Sequence, residues 1–245
     1  TSKAVPAGAL LTMDNLEHAS AAFSSSRSDS AWTPPDVAAF TQRQFMGYHR
    51  SDGRVGTANY WIVVPMVFCE NRNLLKMSEA LHNVLGYQSN SGYQNLAQRL
   101  SAAYQAGATV DELLALDAGS PDDPASPLLA NVDGIKFLTH GGGCGGTRED
   151  AHNLCALLAG YACHPNVAGV TMLSLGCQHA EVSIFEDEIR KRTPHFDKPL
   201  LIFEQQKSES EWSMMTRAIR ATFAGMVEAN RCERQPAGLD KLLIG

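Results

Sequence analysis

The sequence lacks the features that mark several large classes of protein. It has no apolar run approaching the roughly 20 residues of a membrane-spanning helix, and its N-terminus shows no basic stretch followed by an apolar segment and a cleavage site. Basic residues are fewer than acidic ones, 20 against 26, which gives a formal charge of −6. Such a chain has no general attraction to nucleic acid or anionic lipid, so we expect neither as a partner. Because a membrane-spanning run and a signal-peptide pattern are both missing from the sequence, we expect a cytoplasmic location.

Cysteine is also scarce. The six cysteines of this 245-residue chain, at positions 69, 144, 155, 163, 177 and 232, are too few and too irregularly spaced for a disulfide scaffold. We therefore expect free thiols, some of them in metal-binding or catalytic roles. Cys155 and Cys163, eight residues apart in a predicted helix, are typical of inert packing residues.

The first part of the chain has little core-forming material. Residues 4–16 are typical of one or two short strands that cannot make a core alone. Residues 19–44 begin with a Ser-rich stretch containing a Pro pair and show no sustained period, which is the composition of a linker. The main domain is expected to span residues 45–245.

Strand and helix patterns alternate in this main domain. Strands are predicted at 60–68, 135–138, 167–175 and 199–203, helices at 74–85, 148–163, 182–192 and 209–230, a helical region broken near Gly107 at 93–116, and the start of a fifth strand at 239–244. Alternation of this kind predicts a Rossmann-like α/β domain, in which an open, mainly parallel sheet carries helices on both faces.

Polar side chains follow the predicted strands. Four strand ends are followed by Cys69, Glu70 and Asn71, by His140 and Cys144, by Cys177 and Gln178, and by Glu204 and Gln205. Parallel sheets of this class bind ligands at the carboxyl ends of their strands. We therefore expect these side chains to meet at one edge, where they suit metal binding and proton transfer.

The segment 140–146, HGGGCGG, is the most unusual local pattern, because five glycines in seven residues give up chain entropy that folding must recover elsewhere. We interpret it as a backbone cradle for a substrate carboxylate or enolate, contacted through Gly141, Gly142 and Gly143. A nucleotide phosphate is less suited, since the chain lacks both G-K-[ST] and G-x-G-x-x-G followed by an acidic residue. A tight connection without any ligand is the alternative.

The loop cysteines leave two roles open. As thiolates, Cys69, Cys144 and Cys177 are soft ligands for Fe(II) or Zn(II), and they are equally suited to proton transfer. His140 fits either an imidazole ligand or a general base. Spacing alone does not choose between these roles.

Arg54 and Asn59 belong to a second polar motif, which precedes the first predicted strand. A guanidinium matches the two oxygens of a carboxylate, so these side chains are candidates for holding a carboxylate and hydroxyls. The Asp-Gly pair at 52–53 also fits a plain turn.

Taken in order, the motifs resemble the altronate/galactarate dehydratase family, and most closely its altronate branch. They are FMGYHRSDGRVGTANYW at 45–61, FCENRN at 68–73, THGGGCGGTRED at 139–150, HPNVAG at 164–169 and SLGCQ at 174–178. The resemblance covers about residues 45–205. It implies that residues 1–18 are the tail of a small β-rich N-terminal domain and that the family's C-terminal part is absent.

The resemblance further implies a hydro-lyase of sugar-acid (hexuronate) catabolism that uses a divalent metal, Fe(II) or Mn(II). The expected reaction converts D-altronate to 2-keto-3-deoxygluconate, or dehydrates galactarate, and the full-length protein is expected to be a homo-oligomer. The expected catalytic residues are His140, Cys144, Cys69 and Cys177, with His140, Cys69 and Cys177 as candidate metal ligands, Arg54, Asn59, Asn71, Gly141, Gly142, Gly143 and Gln178 on the substrate, and Glu70 and Glu204 behind them.

Two other functions compete with this one. The three loop cysteines suit an iron–sulfur hydro-lyase, in which a cluster iron binds the substrate oxygen. A non-catalytic module that binds a sugar acid or serves oligomerisation is also compatible with the fold.

Overall fold

The computed structural model describes residues 7–9, 33–87, 90–117, 119, 122–123 and 127–242. The chain divides into two units, residues 1–39 and 40–245. Most of residues 1–18 and most of the linker lie outside the described residues, so our predictions for these segments stay predictions. Within the described ranges, no helix is both long enough and apolar enough to cross a membrane.

The described residues of the second unit form three sheets. Its strands are β1 (Gln44–His49), β2 (Val55–Gly56), β3 (Tyr60–Pro65), β4 (Asn90–Ser91), β5 (Asp122–Asp123), β6 (Gly134–Phe137), β7 (Val167–Ser174), β8 (Leu200–Glu204) and β9 (Gln235–Gly238). The order β6-β3-β7-β8 makes a parallel sheet, β2-β1-β9 an antiparallel one, and β4 pairs with β5. The predicted open α/β sheet is confirmed.

Helices cover both faces of the parallel sheet. They are α1 (Asn71–Leu85), α2 (Gly92–Gln105), α3 (Val110–Leu114), α4 (Arg148–Cys163), α5 (Val182–Arg192) and α6 (Glu211–Ala229). Helices α4 and α5 pack on one face, and α1 and α6 pack on the other. Every residue of β7 is buried as a result, which explains why only two of its eight residues, Thr171 and Ser174, are polar.

Trp61 of β3 shows how closely helix α6 packs on the sheet. The indole is fully buried, and its Nε1 donates to Thr171 Oγ1 at 2.9 Å. A Cβ added at Gly169 or Gly225 would lie 2.4 or 2.3 Å from the ring. These two positions must therefore be glycine for the aromatic ring to fit.

The last predicted strand is wrong in position. Leu239–Lys241 is a 3-10 helix, and residues 243–245 lie outside the described part. The strand is instead β9, which pairs antiparallel with β1 at the edge of a separate sheet. An edge strand tolerates Pro236, whose nitrogen cannot donate to a ladder.

Candidate functional site

Three loops meet at the carboxyl ends of the parallel strands. The glycine-rich loop after β6 lies between the loops that follow β3 and β7, because Gly142 O accepts from Phe68 N and Gly143 O accepts from His179 N, both at 2.9 Å. The structure therefore brings together the segments that carry Cys69, Cys144 and Cys177.

Gly143 is required by packing in this loop. Its φ is +98°, and an added Cβ would lie 2.2 Å from the backbone oxygen of Met66. Gly141 differs, because a Cβ there would meet nothing within 4 Å. Part of the glycine pattern thus serves the fold, and part leaves backbone open to a ligand.

The second half of the loop leads into helix α4. Gly145 and Gly146 have φ values of +75° and +80°, and Thr147 with Asp150 forms a capping box that starts the helix. No acceptor among the described residues takes a hydrogen bond from the backbone N–H of Cys144, Gly145 or Gly146. Such N–H groups before a helix suit an anion.

His140 is held by the backbone on both sides of its ring. Its Nδ1 accepts from Gly142 N at 3.1 Å, so Nε2 carries the hydrogen and donates to Pro65 O at 2.7 Å. The ring therefore orients the glycine-rich loop. To act as base or metal ligand, as the sequence suggested, it would have to give up one of these bonds.

The cysteines differ in exposure. All six are free, as expected; Cys69, Cys144 and Cys177 are exposed, Cys232 is partly buried, and Cys155 and Cys163 are buried. Burial raises the pKa of the Cys155 thiol to about 11, so it stays protonated and inert. Only the loop thiols are accessible to a substrate at this edge.

The sulfur and imidazole groups do not assemble into a metal centre. The described part of the chain contains no group of three or more His, Cys, Asp or Glu side chains placed to hold a metal ion. Because both nitrogens of His140 are also occupied, the expected set of His140, Cys69 and Cys177 does not fit a bound metal in this arrangement.

A buried polar cluster lies directly under the glycine-rich loop, in the turn that starts helix α1. Asn71 Nδ2 donates to His140 O at 2.8 Å, and Asn73 Nδ2 donates to Glu70 Oε2 at 3.0 Å. Burial raises the pKa of Glu70, and the hydrogen bond from Asn73 opposes that shift. Asn73 was missed from the sequence, although the NRN run at 71–73 contains it.

The polar side-chain atoms of Gln178 and Glu204 are engaged in contacts with neighbouring residues. Gln178 is 8% exposed; its Oε1 accepts from Gly176 N and its Nε2 donates to Ser174 Oγ, both at 2.7 Å. Glu204 forms an ion pair with Lys207 at 3.1 Å. Gln178 therefore braces the loop after β7, and a substrate would have to displace one of these bonds.

Arg54 and Asn59 lie at the other edge of the sheet. Both precede β3, whose six residues, at about 3.3 Å each, span about 20 Å. Arg54 pairs with Asp52, and the fully buried Asn59 donates to Asn131 O at 2.8 Å and accepts from Arg50. Arg54 and Asn59 thus lie about one strand length from the loop cysteines, and their expected contact with the substrate stays a prediction.

Three cations converge there on the end of helix α4. The hydrogen bonds run from Arg54 to Cys163 O at 2.7 Å, from Arg50 to Pro165 O at 2.7 Å, and from Lys198 to His164 O at 2.6 Å and Ala162 O at 3.1 Å. Cations stabilise the carbonyl end of a helix. Burial, with Arg50 and Arg54 nearby, lowers the pKa of Lys198 to about 8.

Residues 47–230 match the family model described as D-galactarate dehydratase/Altronate hydrolase, second domain. The match covers about three quarters of the chain and includes both edges of the sheet. No curated protein matched the chain. No solved structure matched it either.

Proposed function

Because the chain belongs to the D-galactarate dehydratase/altronate hydrolase family, we propose that it takes part in the dehydration of a sugar acid, D-altronate or galactarate. With D-altronate, the product would be 2-keto-3-deoxygluconate. The family supports a lyase of sugar-acid catabolism, and the choice of substrate is our proposal. We also propose that the protein is cytoplasmic and acts as a homo-oligomer.

The observation that carries this proposal is the glycine-rich loop at the carboxyl edge. Its N–H groups at 144–146 have no acceptor among the described residues and stand before helix α4, so they suit a substrate carboxylate. The negative charge of that carboxylate grows when the neighbouring carbon loses its proton and an enediolate forms. Donors already oriented towards it stabilise this state in advance.

The exposed thiols are the proton-transfer groups that the geometry favours over His140. One thiolate, which we assign to Cys144 because it lies within the loop, removes the proton from C2. The C3–O bond then breaks, and a proton donor, Cys69 or Cys177, releases the hydroxyl as water. The resulting enol becomes the 2-keto-3-deoxy acid by taking up a proton at C3 and losing the proton of its C2 hydroxyl.

A divalent metal, Fe(II) or Mn(II), remains part of the proposal. When bound, such an ion would neutralise charge on the substrate carboxylate. An iron–sulfur cluster held by Cys69, Cys144 and Cys177 is the alternative, and visible absorbance distinguishes it from a single metal ion. Anaerobically purified protein that is active and colourless would eliminate the cluster.

A dehydration assay on altronate and galactarate tests the proposal. Cys144→Ser should lower turnover by about 100-fold or more, because serine does not ionise near neutral pH. The matched control is Cys232→Ser, since Cys232 lines a cavity with Arg50 and Lys198 at the opposite edge. Equal turnover of the two variants would remove Cys144 from the mechanism.

A non-catalytic module is the competing function. It predicts that calorimetry detects binding of altronate or galactarate while the assay detects no product, even with Fe(II) or Mn(II) present. Product formation by the unmodified protein would exclude it.

A further inference from the structure

The buried acceptors without a partner are confined to a single turn. Among the described residues, the buried side-chain nitrogen and oxygen atoms without a hydrogen bond are Glu70 Oε1, Asn71 Oδ1 and Asn73 Oδ1. Glu70 is 1% exposed and Asn73 is 3% exposed. A buried polar atom without a partner is costly, so three within four residues mark this turn as a place where a ligand can supply the missing contacts.

The orphaned atoms of both asparagines are oxygens. Asn71 Nδ2 donates to His140 O at 2.8 Å, and Asn73 Nδ2 donates to Glu70 Oε2 at 3.0 Å. Turning either amide over would place its oxygen against another oxygen. The hydrogen-bond pattern therefore assigns the amide orientations.

Three oxygen acceptors, one of them on a carboxylate, suit a cation as partner, and the cationic side chains next to them in sequence are paired elsewhere. Arg72 and Lys76 both pair with Glu211 of helix α6, at 2.6 and 3.1 Å. No ion pair of Glu70 occurs in the part of the chain that the structure describes. A carboxylate without a cation in a buried position leaves its charge uncompensated.

We propose that Glu70, Asn71 and Asn73 form a binding site for a divalent cation that prefers oxygen ligands, such as Mn(II). One carboxylate oxygen and two amide oxygens are suitable ligands, and water would complete the coordination. The site differs from the thiol and imidazole set expected from the sequence. Asn71 joins it to the backbone of the glycine-rich loop, so the cation's charge would lie close to the proposed anion cradle.

Binding of Mn(II) to the purified protein tests the site directly. We expect electron paramagnetic resonance to show one tightly bound Mn(II) per chain and thermal unfolding to shift upward with Mn(II). Glu70→Gln, which removes the charge at constant size, should weaken binding by about ten-fold or more. Glu211→Gln, a carboxylate one helix away that contacts Arg72 and Lys76, should bind Mn(II) as the unmodified protein does.

Two further variants keep the test decisive. Asn73→Asp adds a second carboxylate beside Glu70, so the metal-free protein should unfold at a lower temperature and the shift caused by Mn(II) should become larger. Cys69→Ser combined with Cys177→Ser should leave Mn(II) binding unchanged. Absence of Mn(II) binding, equal affinity of Glu70→Gln, or loss of binding in the cysteine double variant would each overturn the inference.

The cation's role in the reaction rests on the proposed function, but its binding does not. Mn(II) affinity is measured without sugar acid. Binding without dehydration would reject the reaction and keep the site, whereas dehydration without binding would reject the site and keep the reaction.

Discussion

The two edges of the parallel sheet carry family motifs but treat their polar groups differently. At the amino edge, Arg54 and the buried Asn59 are bonded to protein atoms. At the carboxyl edge, three thiols are exposed and Glu70 and Asn73 each keep an oxygen without a partner. Belonging to a family motif therefore does not tell whether a residue holds the fold or is available for chemistry. The distinction comes from whether its polar atoms are already hydrogen-bonded to the protein.

Gly143 at the carboxyl edge should be the position most sensitive to substitution. Gly143→Ala would force a Cβ to within 2.2 Å of Met66 O at a φ of +98°, so unfolding free energy should fall by about 3 kcal/mol or more. Gly141→Ala, which meets nothing within 4 Å, should change it by less than about 0.5 kcal/mol. Urea unfolding of both variants measures the difference, and equal losses would show that the loop does not pack as described.

Asn59→Ala should produce the largest loss at the amino edge. The change removes the bonds from Asn59 to Asn131 O and Ala229 O and the bond that Asn59 accepts from Arg50, and of the two carbonyl oxygens only Asn131 O keeps another side-chain donor, Tyr48. We expect a loss of about 2–3 kcal/mol in unfolding free energy. Sugar-acid affinity of the folded fraction should stay unchanged; a selective loss of affinity would restore Asn59 as a substrate contact.

Lys198, at the amino edge, should make the stability of the fold depend on pH. Its folded pKa of about 8 lies below the ordinary 10.5, so between these values the unfolded chain binds more protons and stability should rise with pH. Below about pH 8 both states are protonated, and this contribution becomes constant. Lys198→Met should flatten the rise in denaturant midpoints, while Lys207→Met, which removes an exposed lysine, should retain it.

The smallest effect is expected for Arg54→Met. Its ion pair with Asp52 is partly exposed, so unfolding free energy should fall by only about 1 kcal/mol, including the lost bond to Cys163 O. Turnover of altronate and galactarate should be unchanged. A drop in turnover comparable to that of Cys144→Ser would break the distinction between the two edges.

Local chemistry made much of the architecture predictable. Helices α4 and α5 have the predicted bounds, 148–163 and 182–192, and α1 ends where Gly86, at φ 72°, terminates it. Thr147 and Asp150 lie three residues apart, so the capping box that starts α4 is visible in the sequence itself. Strand β9 was missed because pairing with β1, far away in the chain, creates it.

For the candidate site too, some features could be predicted from the sequence and others could not. The order of strands and loops, and hence the presence of Cys69, Cys144 and Cys177 at one edge, follows from short-range patterns and the rule for parallel sheets. Which polar groups are already occupied does not follow, since His140 bonds to Pro65 and Asn59 to Asn131.

The alternation of elements, their approximate bounds and the edge that carries the thiols follow from the sequence alone, because they depend on periodicity, caps and turns within a few residues. The folded structure was needed to see that Arg54 caps a helix, that His140 is bonded to Pro65 and that one oxygen of Glu70 has no hydrogen-bond partner. The availability of a side chain depends on the groups that folding brings to it, and Pro65 and Cys163 lie tens of residues away in the chain from the side chains they bind.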